Sequence, residues 1–309
     1  MLSVATAMPV ATIAAMTREY DTRIWRVLEH HGHAARDHLD CSGARRVGME
    51  ETSAAKGQDY LSIFADMDAR RVLLATEGRS ANTVARFAAD LAAHGGDPAS
   101  ISDTSSDMSS AFLSGIKEHL PNARMTFERS PVAAKLSEAV DTVRRPEVAT
   151  RPELPHTRWL WLKNWRNLSV AHRGERHRLI RPSAQLATAR ALRWREDFPA
   201  CYDQDPSDAP EYLRRWCTGA KRSRLHPLKD VVTLVEKHRE GILAWHANHL
   251  STGLLEGINS LVPAAKARAR GYRNKNKMIT IVYLTAAKLP LPTLTHPEPA
   301  YMSSHYVTH

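Results

Sequence analysis

The chain has 309 residues, of which 43% are hydrophobic and 25% charged, so it can form a packed core and is not wholly disordered. Lys and Arg number 43 against 33 Asp and Glu, and this net charge of +10 favours a polyanionic partner, nucleic acid ahead of a membrane surface. The three widely spaced cysteines argue against disulfides and thiolate zinc sites and are typical of a cytoplasmic protein. No apolar run is long enough for a membrane span, so we expect no membrane partner.

Residues 1–40 are predicted to form a partial helix-turn-helix or a helical arm. Apolar positions recur at helical spacing over 8–33, where two short helices fit, the second running from Tyr20 to His31. A truncated helix-turn-helix and a plain amphipathic arm explain this pattern equally well. The HHGH run at 30–33 could bind a metal ion, but no carboxylate or cysteine completes a ligand set, which favours a solvated helix end.

A mixed α/β domain is predicted over residues 45–145. After a first strand comes a hairpin with its turn at Asp68 and Ala69, and then a helix with Ser80 as its N-cap. The order strand, hairpin, helix, strand, helix, strand, helix is typical of an α/β fold with a mixed sheet. In sequence the predicted elements are 47–51, 60–68, 70–78, 80–93, 101–106, 109–119, 123–128 and 132–145.

A helical region is predicted over residues 146–245. Pro146, Pro152 and Pro155 mark its start, and six of the seven tryptophans follow, most simply as the core of a helical domain. A single helix from about Val231 is indicated by apolar residues at 231, 234, 235, 242 and 245. A further helical segment is expected within 246–289, and 290–309 should be an irregular tail because it is rich in proline and has no periodicity.

Three acidic residues stand where carboxylates could meet. Glu50 lies at the end of the first strand, Asp107 where a strand gives way to a helix, and Glu256 in the helical segment GLLEGINS. Oxygen ligands from such positions suit a pair of hard cations such as Mg²⁺, which can activate a water or a 3′-hydroxyl in phosphodiester chemistry. Surface ion pairs are the alternative, since the chain has 33 acidic residues.

A basic cluster follows Glu256 closely. The segment KARARGYRNKNK at 266–277 contains no acidic residue, and beside an acidic metal site it could hold phosphates. A solvated basic helix end explains the same pattern. The basic side chains are Lys266, Arg268, Arg270, Arg273, Lys275 and Lys277.

Several segments resemble a family of bacterial DDE insertion-sequence transposases. The family's closing block is similar to GLLEGINSLVPAAKARARGYRNKNKMITIVYL, and its first two acidic blocks are similar to VGMEETSAAKGQDYLSIFADMD and SSDMSSAF. The start and end of its helical insertion resemble WLWLKNWRNLS and EGILAWHANHLSTGLLEGINS. The likeness covers roughly residues 8–289.

The resemblance implies an RNase H-like catalytic domain that a long all-helical insertion interrupts. It places the catalytic and metal-binding triad on Glu50, Asp107 and Glu256, with Mg²⁺ or Mn²⁺ as cofactor, and phosphate contacts on the basic cluster. The expected activity is cleavage and transfer of DNA strands at element ends. The expected partners are element ends, target DNA and further copies of the chain assembled on DNA, in a nucleoid-associated protein.

The sequence departs from the family's pattern at several positions. Glu50 replaces the family's first Asp, and one extra methylene moves a carboxylate by roughly 1.5 Å, which disturbs a constrained metal site. Glu128 replaces an Asp, Ser130 and Pro131 replace a Phe-His pair, and Thr252 replaces an Asn. The zinc-binding module that precedes the family's helix-turn-helix has no counterpart here, so an N-terminally truncated transposase is expected.

Four interpretations follow from these patterns. The first is a metal-dependent transposase, and the second is a truncated, catalytically inactive remnant that retains DNA binding. An RNase H-type nuclease without transposition shares the same metal chemistry. A helical scaffold that uses its basic charge for solubility is the fourth. The triad distinguishes the first two, and the basic cluster separates both of them from the scaffold.

Overall fold

The computed structural model describes residues 2–5, 7–53, 60–106, 108–181, 185–250, 253–268 and 274–290. Asp107, Arg270, Arg273 and the tail 291–309 lie outside the described residues, and of Lys266 and Arg268 only the backbone is described. No described helix combines the length and apolar character that crossing a membrane requires.

A five-stranded mixed sheet organises the α/β part, and it confirms the predicted fold class. Its strands lie in the order β3-β2-β1-β4-β5. β2 pairs antiparallel with both β1 and β3, whereas β4 pairs parallel with β1 and with β5. The strands are β1 (Arg46–Ser53), β2 (Tyr60–Asp66), β3 (Arg71–Glu77), β4 (Asp103–Ser105) and β5 (Arg124–Thr126).

The hairpin between β2 and β3 forms where the sequence predicts it. The Asp66 carboxylate accepts hydrogen bonds from the backbone N–H groups of Asp68 and Ala69, each at 2.9 Å. Arg70 then adopts a left-handed conformation with φ of 53°. A carboxylate that binds its own turn is a common reason for Asp at such a position.

Two helices cover one face of the sheet, α4 (Ala81–Ala93) and α5 (Ser110–His119). Met49 and Phe64 of the sheet pack there with Phe87 and Phe112, and the rings of Phe64 and Phe87 stack at 4.5 Å. Ser80 does occupy the N-cap position of α4, but its side chain makes no capping hydrogen bond. The predicted N-cap residue is therefore confirmed, and its carbonyl accepts from the N–H and hydroxyl of Thr83.

The opposite face of the sheet carries α13 (Gly253–Arg268) and α14 (Lys275–Ala286). Ile63 and Ala65 of β2 share a core there with Leu255, Met278 and other apolar residues of the two helices. Tyr283 of α14 binds β3 through its hydroxyl, which donates to the Ala75 carbonyl at 3.3 Å and accepts from the Ala75 N–H at 3.1 Å. The closing helices are thus fixed to the hairpin.

Of the N-terminal helices, α1 (Leu2–Ala5) and α3 (Asp21–Asp37) pack on α14, and α2 (Val10–Thr17) packs on α3. Ile24 and Leu28 of α3 are buried against Ile281 and Leu284. Both predicted helices are present, and the second extends six residues beyond the predicted His31. Their assignment as a partial helix-turn-helix stays a prediction, because the contacts described join these helices to the α/β part.

The helices that follow β5 form a lobe of their own around Trp161, Phe198 and Trp216. Its described residues from Arg129 to Asn248 contribute no strand to the sheet. The helices are α6 (Arg129–Val148), α7 (Arg158–Leu162), α8 (Val170–Leu179), α9 (Ala187–Asp197), α10 (Ala209–Arg222), α11 (His226–Lys237) and α12 (Arg239–Asn248).

Two details of this lobe differ from the prediction. Helix α6 runs through Pro146 instead of ending before it, and Glu147 in its last turn binds the start of α9. The single helix expected from Val231 is two helices that meet at His238, because the apolar stripe continues in register across a break in the backbone. Periodicity alone does not reveal such a break.

Candidate active site and basic surface

Glu50 lies on β1 in the part of the strand that faces α13. Side chains alternate along a strand, so Gly48 and Glu50 share one face, whereas Met49 points into the core beneath α4 and α5. Ile63, which pairs with Glu50 across the sheet, belongs to the core formed with α13 and α14. Glu50 itself is half-buried. A carboxylate on this face therefore lies on the side of the sheet that carries the closing helices.

Helix α13 approaches β1 closely, and Gly48 permits this approach. A Cβ atom at Gly48 would lie 2.8 Å from Cδ1 of Leu255 and 2.5 Å from Sδ of Met67, both far inside normal contact distance. Leu255 is fully buried at this contact, and the next residue, Glu256, is exposed in the first turn of α13. The structure thus joins the two elements that carry Glu50 and Glu256.

Strand β4 ends two residues before Asp107, the remaining member of the predicted triad. The last residue of β4, Ser105, pairs with Gly48 of β1. Glu50 comes two residues after Gly48 in the sequence, just as Asp107 comes two residues after Ser105. Asp107 lies outside the described residues, so the predicted convergence of the three carboxylates stays a prediction. Ser105 is fully buried, and its hydroxyl has no hydrogen-bond partner among the described residues.

A buried polar network fixes the joint between the helical lobe and α13. The Asn248 side chain, at the end of α12, donates to Oδ1 of Asp103 at 2.8 Å and to the Thr126 hydroxyl at 2.7 Å. Its own oxygen accepts from the N–H of Leu250 at 3.1 Å. The chain that leads into α13 is therefore anchored on β4 and β5. Sequence reasoning missed this network, because its members lie in distant segments that no motif connects.

Asp103 is the charged centre of this network and is only 6% exposed. Burial alone would raise its pKa, but hydrogen bonds from Asn248, Arg124 and Ser102 outweigh burial and lower the pKa. Arg124 binds Asp103 from the start of β5 at 2.7 Å. The carboxylate therefore remains ionised and links three segments of the fold.

The predicted basic cluster is only partly described, and its two described side chains have structural contacts. Lys275 forms an ion pair with Glu77 at 3.1 Å, which ties the start of α14 to the end of β3. The Lys277 amine lies over the Trp25 ring, 4.8 Å from its centre. Any phosphate contact of these two lysines would compete with contacts that hold α14 in place.

The described residues contain no group of three His, Cys, Asp or Glu side chains that could hold a metal ion. The predicted donor set includes Asp107 and falls partly outside them. Glu50, Glu256 and the Ser105 hydroxyl all supply oxygen, the donor atom that Mg²⁺ and Mn²⁺ prefer. The donor atoms of these three residues are thus of the kind that the expected cofactor prefers, and the cofactor itself stays a prediction.

Comparison with known proteins identifies the family to which the chain belongs. The chain is 29% identical over 244 residues to the transposase for insertion sequence element IS1001 of Bordetella parapertussis, an alignment that covers 76% of this chain and 59% of that protein. It is 25% identical over 269 residues to the transposase for insertion sequence element IS1557 of Mycobacterium tuberculosis, covering 79% and 60%. The chain thus spans about three fifths of the length of these relatives. A family model of DDE transposases of the ISL3 type matches residues 47–282, most of the chain, which therefore belongs to this transposase family.

Proposed function

We propose that the chain acts on insertion-sequence DNA as a DDE transposase with an RNase H-like catalytic domain, binding DNA well and cleaving it weakly. The observation that carries this proposal is the contact of Gly48 with Leu255, which brings the strand of Glu50 against the helix of Glu256. Partial identity to two insertion-sequence transposases supports the choice of substrate.

The catalytic carboxylates are Glu50, Asp107 and Glu256, and they would hold Mg²⁺ or Mn²⁺. When bound, such ions lower the pKa of a water or 3′-hydroxyl nucleophile and stabilise the leaving oxygen. The role of the three carboxylates is to fix the position of the ions relative to the scissile phosphate. Such a site tolerates errors of only about 0.5 Å, so the longer side chain of Glu50 weakens cleavage.

DNA binding depends on many distributed cations and is less sensitive to this change. Each phosphate contact contributes about −0.9 to the slope of log K against log salt. Four engaged side chains of the segment 266–277, Lys266, Arg268, Arg270 and Arg273, would therefore give a slope of about −3.6, and Lys275 and Lys277 would add to it if they also engaged. This difference in sensitivity favours a chain in which binding outlasts catalysis, as expected of an inactive or nearly inactive relative.

A nicking assay on supercoiled plasmid tests the catalytic part. We expect weak Mg²⁺- or Mn²⁺-dependent nicking, an increase for Glu50→Asp, and complete loss for Glu256→Gln. Glu138→Gln is the matched control, because this exposed glutamate lies on α6 and pairs with Lys135. Robust metal-dependent nicking that persists in Glu256→Gln would show that the chemistry lies elsewhere.

Fluorescence anisotropy with duplex DNA tests binding separately. We expect salt-sensitive binding that weakens when the four residues Lys266, Arg268, Arg270 and Arg273 are changed to Gln. Sedimentation of the complex then measures whether several copies assemble on one duplex, as the proposed transposition reaction requires. If the four-residue variant binds as tightly as the unmodified chain, the cluster is only a solvated surface.

A further inference from the structure

Positive charge is concentrated in one stretch of the helical lobe. Residues 158–195 contain ten Lys and Arg residues and a single acidic residue, Glu175. The net charge of this stretch nearly equals the +10 of the whole chain. Outside this stretch and the cluster at 266–277, the rest of the chain has a small negative net charge. The lobe is therefore a distinct source of positive potential.

Four exposed arginines of the lobe, three of them in this stretch, line two adjacent cavities that are here called the groove. A cavity of about 370 Å³ is bounded by Arg181, Arg190 and Arg193, and a second, of about 530 Å³, by Arg190, Arg193 and Arg222. The two cavities share Arg190 and Arg193 and are therefore adjacent. The wall of the second also includes Trp194, Gly219 and one carboxylate, that of Asp197.

The four groove arginines differ from the arginines that hold the lobe together. Arg176 is fully buried and pairs with Glu196, and Arg195 donates to backbone carbonyls of α7. By contrast, no described carboxylate lies within ion-pair distance of any of the groove arginines Arg181, Arg190, Arg193 and Arg222. Of these, Arg193 donates to the Ile180 carbonyl at 3.2 Å.

Helix-end electrostatics explains two of these arginines but not the other two. Arg181 follows the end of α8 and Arg222 is the last residue of α10, where a cation complements the helix dipole. Arg190 and Arg193 lie inside α9, where three-residue spacing puts them on one face of the helix. Two exposed like charges on one helix face repel each other weakly, and an anion bound between them would relieve this repulsion.

We propose that this groove is a second DNA-binding surface, in which Arg190 and Arg193 contact backbone phosphates of duplex DNA. The proposal rests on the proposed function and adds a surface separate in sequence from the 266–277 cluster. Arginine suits this role because its planar guanidinium can donate two hydrogen bonds to one phosphate. Contacts of this kind position DNA without reading its sequence.

Fluorescence anisotropy on the full chain with a random-sequence duplex of about 30 base pairs tests the proposal. Removal of two phosphate contacts should reduce the magnitude of the salt slope by about 1.8. We therefore expect Arg190→Gln with Arg193→Gln to weaken binding roughly tenfold or more at 100 mM salt. Arg190→Lys with Arg193→Lys should retain most of the affinity, since the charge remains.

The matched control is Lys135→Gln with Lys229→Gln, which removes the same charge from exposed positions on α6 and α11. It should leave the salt slope unchanged. A second measurement needs no substitution: bound duplex should protect Arg190 and Arg193 from phenylglyoxal, as mapped by mass spectrometry. If the unmodified chain fails to bind duplex, the proposed function and this surface both fail. If the chain binds duplex but Arg190 and Arg193 are neither protected from phenylglyoxal nor required for the full salt slope, only this surface is refuted.

Discussion

The contact between β1 and α13 predicts the effect of one small substitution, Gly48→Ala. The added methyl group would lie 2.8 Å from Leu255 and 2.5 Å from Met67, about 1 Å inside ordinary contact distance. Met67 is only partly buried and can move, whereas Leu255 is fully buried and cannot. Overpacking of this kind costs about 1–3 kcal/mol, so we expect a loss of that size in the free energy of unfolding.

Urea denaturation of the variant measures this loss, and Gly43→Ala is the matched control. Nothing lies within 4 Å of a Cβ at Gly43, so that substitution should be neutral or slightly stabilising. In a double-mutant cycle, Leu255→Val should reduce the cost of Gly48→Ala, because valine lacks the δ carbon that the new methyl group meets. If Gly48→Ala is as stable as Gly43→Ala, α13 does not lie against β1 as described.

Two further substitutions test the anchors of the helical lobe. Because hydrogen bonds lower the pKa of Asp103, its stabilising contribution is present above about pH 4 and is lost as the pH falls through its lowered pKa. Asp103→Asn should therefore reduce the loss of thermal stability at acid pH, as measured by thermal unfolding at a series of pH values. If the variant loses as much stability at acid pH as the unmodified chain, the ionised Asp103 carboxylate does not stabilise the fold. The carboxylate of Glu147 accepts three hydrogen bonds at the start of α9, at 2.7–2.8 Å, so Glu147→Ala should cost about 1–3 kcal/mol in urea denaturation. The same change at the exposed Glu138 should cost less than about 1 kcal/mol. Equal losses for Glu147→Ala and Glu138→Ala would count against a stabilising role of the Glu147 carboxylate at the start of α9.

Sequence reasoning succeeded where local chemistry determines the structure. The β2–β3 hairpin follows from apolar strands around a turn that Asp66 stabilises through its own backbone neighbours. The strand and helix order of the α/β part follows in the same way from the local pattern of apolar residues.

The prediction failed where distant contacts override a local rule. A proline disfavours a continuing helix, yet α6 passes through Pro146, because buried apolar contacts and the bond from Glu147 to α9 hold its last turn. The Asn248–Asp103 bond was beyond prediction for the same reason, since neither residue belongs to a recognisable local motif. The roles of Glu50, Asp107 and Glu256 stay predictions that rest on resemblance and on the β1–α13 contact.

The same structural facts explain how a chain of this family could keep its fold if its catalysis is weak, as we propose. The β1–α13 contact is made by Gly48 and Leu255, and the joint before α13 by Asn248, none of which is a predicted metal ligand. None of these contacts involves the side chain of Glu50, which by resemblance stands where the family has Asp. The exchange changes the reach of one carboxylate, to which a metal site is far more sensitive than a packed core. Because stability and catalysis rest on different residues here, an intact fold is compatible with weak cleavage, and Glu50→Asp is the change that separates the two.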